Sequence, residues 1–129
     1  MSYRVYISHS TKDSELGKDL ARRLSEAGVK AQGITNIAET NEAASNWRRM
    51  ILMLMQNSDE VIVLLTDNSV DSGWVKYEMG IADSLDKRLT PVVVNDGVEQ
   101  KMPMVGKNFI KYADLPKYIA SLKKRAKAA

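Results

Sequence analysis

Hydrophobic positions along the chain alternate between the tight spacing of strands and the three-and-four spacing of helices. Tyr3 to Ser8 opens as a strand, filled by Tyr, Val and Ile. Ser10 with Asp13 forms an S-x-x-D helix start, and Leu16, Leu20, Leu24 and Ala27 follow at i, i+4, i+8 and i+11. This predicts a first helix with one leucine stripe, ended at Gly28 by a left-handed cap. Val29 to Ala31 reads as a short second strand. The polar stretch from Gln32 to Asn46 is long for a connection, and long loops are often functional.

Ser45 or Asn46 can cap a second helix that carries Trp47, Met50, Ile51, Leu54 and Met55 on one stripe, with Leu52 and Met53 outside it. Val61 to Thr66 is a continuous apolar run of the kind found in a central parallel strand covered on both faces. A turn-rich segment from Asp67 to Gly73 then opens a third helix, Trp74 to about Asp86. Leu89 to Val94 and Phe109 to Tyr112 supply two more strands, and Asp114 with Pro116 starts a last helix packing through Tyr118, Ile119 and Leu122. Strict alternation predicts an α/β fold: a flavodoxin-like three-layer sandwich on a five-stranded parallel sheet of order 2-1-3-4-5, as one domain over residues 1–129. The order reverses between strands 1 and 3, so a ligand crevice is expected where their C-terminal ends open. Ser8 to Thr11 and Thr66 to Gly73 are the loops that flank it.

Composition narrows the chemistry. The chain has 129 residues, no cysteine and one histidine, which leaves no disulfide, no thiolate nucleophile and no metal cluster to expect. Its net charge of +3 comes from a lysine-rich end, because five basic residues follow Asp114 and the remaining 14 face 16 acids. No basic stripe is interleaved with aromatics, so nucleic acid is not an expected partner. The longest apolar runs, Met50 to Met55 and Val61 to Leu65, are far below the roughly 18 residues of a membrane span. Without a signal segment the expected location is the cytoplasm.

One carboxylate is out of place. At about 100° per residue, Trp74, Val75, Met79, Ile81, Ala82 and Leu85 share one arc of the third helix, and Glu78 falls near its middle. Buried acids are rare unless they are paired or functional. Glu78 is also on the helix that starts from the switch-point loop, where its carboxylate can face the crevice.

Trp74 and Glu78 spell W-x-x-x-E. With Ser58 to Thr66, Ser72 and Gly73, and with the opening Val5, Tyr6, Ile7, Ser8, His9, Ser10 and Asp13, the chain resembles a Toll/interleukin-1 receptor (TIR) domain over essentially its whole length. It departs from that family in having Glu42, Ala43, Ala44, Ser45 and Asn46 before Trp47, where an Asp and a Gly are usual, and Val75 where a Cys is common. The resemblance is to the bacterial-type, NAD-cleaving members, and it implies hydrolysis of the nicotinamide–ribose bond to nicotinamide and ADP-ribose or a cyclic product. NAD is then substrate rather than cofactor. Glu78 becomes the catalytic candidate, with Ser8, His9, Ser10, Trp74, Asn46 and Trp47 as candidates for substrate binding. Trp47 suits the core at least as well, and the Ser8–Ser10 segment reads equally as a polar loop and helix cap.

The chemistry suits one carboxylate. Cleaving an N-glycosidic bond develops positive charge on the ribose, which an adjacent anion stabilises. Nicotinamide carries a formal positive charge and leaves neutral, so no general acid is required. The alternative implied by the same resemblance is a non-catalytic signalling scaffold built by TIR–TIR contact. Either reading predicts homotypic self-association, through the Gln32–Asn46 loop and the second helix, and a head-to-tail contact can propagate into filaments. A phosphoacceptor receiver would use Asp67, but the acidic pair it needs after strand 1 is replaced by Ser8 and His9. A nucleoside deoxyribosyltransferase, which also uses a glutamate in a related fold, stays open.

Overall fold

A computed structural model describes residues 2–33, 47–106 and 108–128. Five parallel strands form one sheet in the order β2-β1-β3-β4-β5, with β1 at Arg4–Ser8, β2 at Lys30–Gln32, β3 at Glu60–Leu65, β4 at Arg88–Val93 and β5 at Ile110–Lys111. Among the described residues four α-helices accompany them: α1 at Ser14–Glu26, α2 at Trp47–Gln56, α3 at Gly73–Ser84 and α4 at Leu115–Ala128. This is the flavodoxin-like arrangement expected from the alternation, with its reversal between β1 and β3.

The two-residue period of the strands divides the core. Val5 and Ile7 of β1, Ile62 and Leu64 of β3 and Val92 of β4 pack with Leu20 and Leu24 of α1 and Leu115, Ile119 and Leu122 of α4. Tyr6, Val61, Val63, Leu65 and Val93 turn to the other face, against Ile51 and Met55 of α2 and Val75, Met79 and Ala82 of α3. Every residue of β3 is buried, as a central parallel strand requires. The same alternation directs Ser8 to the face that holds α3, two positions beyond Tyr6.

Several boundaries move from the sequence expectation. A 3-10 turn, Thr11–Asp13, precedes α1, and Ser10 caps that turn by accepting from the Lys12 amide at 3.2 Å. Asp13 therefore does not complete a capping pair with Ser10. Helix α3 is capped by Ser72, whose hydroxyl accepts from the Val75 amide at 3.2 Å, and it ends at Ser84, before Asp86 turns into the left-handed region at φ 55°. Met50, expected on the apolar stripe of α2, is instead 40% exposed. Two 3-10 turns after β4, Val98–Lys101 and Pro103–Val105, bury Val98, Met102 and Val105 in the α2–α3 core. They escaped the sequence reading because so short a turn has no hydrophobic period to detect.

Candidate active site

Helix α3 buries Val75, Glu78, Met79 and Ala82, which recur at i, i+3, i+4 and i+7. The helix thus places a carboxylate in its packed stripe, and Glu78 is only 1% exposed. Its Oε1 accepts the Ser8 hydroxyl at 2.7 Å, and its Oε2 accepts the Tyr6 phenol. Both donors come from β1, on the face that the strand period turns towards α3. Burial pushes Glu78 from its ordinary 4.5 up to about 7, and the hydroxyls of Tyr6 and then Ser8 oppose the rise by stabilising the anion. Near neutrality the group is poised between its charged and neutral forms.

The loops around the switch point are tied together. Asp13 accepts the Thr66 hydroxyl at 2.5 Å and the Asn68 side-chain amide at 2.8 Å. The Ser69 hydroxyl accepts from the Thr66 amide at 3.0 Å and donates to the Leu64 carbonyl at 3.0 Å, closing the turn that leaves β3. Asp67 is exposed, and its backbone amide donates to Asn95 Oδ1 at 2.9 Å.

Of the sequence candidates, Ser8 meets Glu78 directly. His9 does not: its ring packs on α1, where a Cβ at Gly17 would lie 2.6 Å from Nε2, and its Nδ1 is 2.7 Å from the Ser10 carbonyl, which assigns the proton to Nδ1. Ser10 is committed to its cap. Trp74, half-buried in the first turn of α3, packs against the same apolar cluster as Tyr6. Asn46 and the Trp47 side chain lie outside the described residues. The sequence marks Tyr6 as a strand residue of the opening motif and gives it no role in the site. A buried tyrosine needs a partner for its hydroxyl, but the strand pattern that puts Tyr6 on one face with Ser8 does not name a partner 72 positions away.

A second buried carboxylate was missed altogether. Glu60, one position before the strand expected from Val61, is the first residue of β3 and is 0% exposed. It accepts hydroxyls from Tyr3 and Tyr118, each at 2.5 Å, and from Thr90 at 2.7 Å, with Arg125 Nη1 at 3.6 Å. Glu60 pairs in register with Val5 and Arg88 at the start of the strands, whereas Ser8 ends β1. Glu60 therefore belongs to the end of the sheet opposite the switch-point opening, and its three hydroxyl donors and one ion pair describe a structural hub. The hollow of about 590 Å³ between β5 and α4, lined by Phe109, Lys111, Lys117 and Tyr118, has only the exposed Asp114 as a carboxylate and is remote in the topology from Glu78. Among the described residues no group of His, Cys, Asp and Glu could hold a metal ion, and no helix is long and apolar enough to cross a membrane.

Comparison with known proteins now decides the family. A model of the TIR domain matches residues 5–127. The chain belongs to the TIR domain family. This TIR domain is 28% identical over 101 residues to a candidate cyclic ADP-D-ribose synthase of Cytobacillus dafuensis, across 75% of the chain. It is 30% identical over 79 residues, across 60% of the chain, to the NAD(+) hydrolase TirS of Staphylococcus aureus. The match spans 27% of the length of each of these relatives. Among solved structures, it superposes on the TIR domain of a Toll-related receptor from Hydra magnipapillata with a TM-score of 0.69 at 18% identity, covering 96% of this chain and 94% of the other.

Proposed function

We propose that this TIR domain cleaves NAD at the nicotinamide–ribose bond, with Glu78 as its catalytic carboxylate. The supporting observation is the burial of Glu78 on the crevice helix with two neutral hydroxyls as its hydrogen-bond partners among the described residues. A structural acid in an apolar core would be expected to carry a fuller set of donors, as Glu60 does. Two relatives named for NAD hydrolysis and cyclic ADP-ribose synthesis support the same substrate.

In this reading the C1′–N bond of the nicotinamide riboside breaks heterolytically. The electron pair leaves with nicotinamide, whose ring nitrogen was cationic and becomes neutral. Positive charge shifts to the ribose, where the ionised Glu78 stabilises it. Water then adds at C1′ and loses a proton to give ADP-ribose, or the adenine of the same molecule attacks and the product is cyclic. Burial strengthens the carboxylate's effect on that charge. Ser8 borders the sugar position, while His9 and Ser10 shape the wall behind it. Self-association through the exposed side of α2, where Met50, Leu52 and Met53 are 40%, 39% and 53% exposed, accompanies activity.

The test is incubation of concentrated protein with NAD and separation of the products. Free nicotinamide is expected from the native chain, and the Glu78→Gln variant should release it about a hundredfold to a thousandfold more slowly. Comparable rates from both would remove Glu78 from the mechanism. No nicotinamide from concentrated native protein would favour a signalling scaffold.

A further inference from the structure

The strand period that turns Tyr6 and Ser8 towards α3 turns Ile7, and then the ring of His9, towards α1 on the other face of the sheet. His9 is 3% exposed, and its Nδ1 proton is committed to the Ser10 carbonyl at 2.7 Å. Nε2 then carries a lone pair, and it has no hydrogen-bond partner among the described residues. It is not sealed in. Among those residues the one side-chain oxygen or nitrogen that is both sealed and unpartnered is Glu99 Oε2, so His9 Nε2 opens onto space.

That space is a hollow of about 170 Å³ between α1 and the ends of β1 and β2, and His9 lines it. The rest of the lining is small and apolar, with Ile7, Gly17, Ala21, Ala31 and Gly33, beside the exposed Lys18. Gln32 borders the hollow but directs its amide nitrogen to the Leu54 carbonyl at 3.1 Å and the Ser58 hydroxyl at 2.9 Å. Gly17 keeps the histidine uncovered. It lies inside α1, where glycine is disfavoured against alanine, and a Cβ there would come 2.6 Å from Nε2.

We propose that this hollow is a second ligand site, which takes a small neutral molecule with one flat ring and an N–H or O–H that donates to His9 Nε2. Its volume is below the roughly 300 Å³ at which pockets for drug-sized ligands begin, so the occupant is a single ring rather than a nucleotide. An anion is disfavoured because Nε2 offers a lone pair and no proton, and a cation because it would meet the Lys18 ammonium. A ring without a donor would cover the lone pair and leave it unpaired. A ring with one satisfies it while burying apolar surface against Ile7, Ala21 and Ala31. The hollow is across the sheet from Glu78, so this site does not depend on the role assigned to that carboxylate.

The chain has a single histidine, so its imidazole nitrogen-15 resonances belong to His9 without further assignment. The experiment titrates phenol, and toluene as its isostere without a donor, into the native chain and into Ala21→Leu at pH 8, following those resonances and the backbone amides. Without ligand, Nε2 should give the signal of an unprotonated nitrogen. Phenol should move that signal upfield to saturation, with a Kd in the millimolar range or tighter, and should shift the amides of Ile7, Gly17, Ala21 and Ala31. Toluene should bind about threefold to tenfold more weakly, the worth of one neutral hydrogen bond. Ala21→Leu fills the hollow from a helix position that leucine suits, and should bind phenol at least about tenfold more weakly. A protonated Nε2, a phenol response that does not saturate, toluene binding as tight as phenol, or native affinity in Ala21→Leu would each overturn the proposal. Phenol shifts centred on residues 74–79 would overturn it too, by placing the ligand beside Glu78. Should Ala21→Leu fail to fold, the comparison of phenol with toluene in the native chain decides alone.

Discussion

Asp13 and Thr66 are 53 positions apart in the chain and share a hydrogen bond of 2.5 Å that joins the loop after β1 to the loop after β3. These loops flank the point where the strand order reverses, so the bond ties the two sides of the switch point together. Asp13→Ala leaves the Thr66 hydroxyl and the Asn68 amide without their acceptor, at an expected cost of about 1–3 kcal/mol in denaturant unfolding. Amide exchange over residues 66–69 should accelerate with it, and unchanged protection there would show that the turn is held by Ser69 alone.

Gly17→Ala sets helix propensity against packing. Alanine favours a helix interior over glycine by about 1 kcal/mol, yet the added Cβ would lie 2.6 Å from His9 Cδ2 and Nε2. His9 is buried and bound through Nδ1 to the Ser10 carbonyl, so its ring cannot withdraw freely. Overpacking should win, with a net loss of about 1–3 kcal/mol. A rise in melting temperature would mean that the His9 ring moves at little cost.

The legible parts of the chain were those where one residue type repeats with a period. β3 announced itself as five apolar residues in a row, and α1 and α3 by stripes at helical spacing, so the sheet order followed from the alternation with the chain length and the five strands. Glu78 was legible because it broke such a stripe. Tyr6 and Glu60 were not, because what defines them is a partner 72 positions away in one case and 57 and 58 in the other. No local pattern encodes a contact of that range. Met50 shows the opposite error, since a stripe drawn on an ideal helix does not say how much of it the neighbours cover.

Glu60→Ala should weaken the fold without touching the site proposed for catalysis. The substitution removes the acceptor of the Tyr3, Thr90 and Tyr118 hydroxyls, leaving Thr90 and Tyr118 paired with each other at 3.2 Å, and it removes the carboxylate that draws Arg125 of α4 to the sheet. Burial and then the Glu60 hydrogen bond raise the Tyr3 and Tyr118 phenols, which should return towards ordinary tyrosine titration in the variant. Unfolding free energy should fall by about 2–4 kcal/mol. Turnover per folded molecule should stay native, and a selective loss of turnover would transfer the catalytic role to this end of the sheet.

Met53→Glu tests association through α2. Among the described residues Met53 is the most exposed of the large apolar side chains, with Met50 and Leu52 beside it on the same helix. A charge there should change stability by no more than about 0.5 kcal/mol while weakening self-association at least about tenfold, as sedimentation would report. Association of unaltered strength would assign the contact to another surface.

Glu78→Gln makes a prediction about stability that is independent of any reaction. The folded protein titrates Glu78 near 7 and the unfolded chain near the ordinary 4.5. Between those values the folded state holds more protons than the unfolded state, so this group's contribution is fully present below pH 4.5 and is lost as pH rises through 7. The whole span is on the order of 3 kcal/mol. Glutamine keeps the size of the side chain and cannot ionise, so the variant should lack this decline while all other groups titrate alike in both proteins. Denaturant unfolding at pH 5 and at pH 8 then reads the difference directly: relative to the native chain, the variant should gain about 2–3 kcal/mol on going from the lower pH to the higher. Parallel stability curves would mean that water or a conformational opening reaches Glu78 and that its burial does not govern its charge.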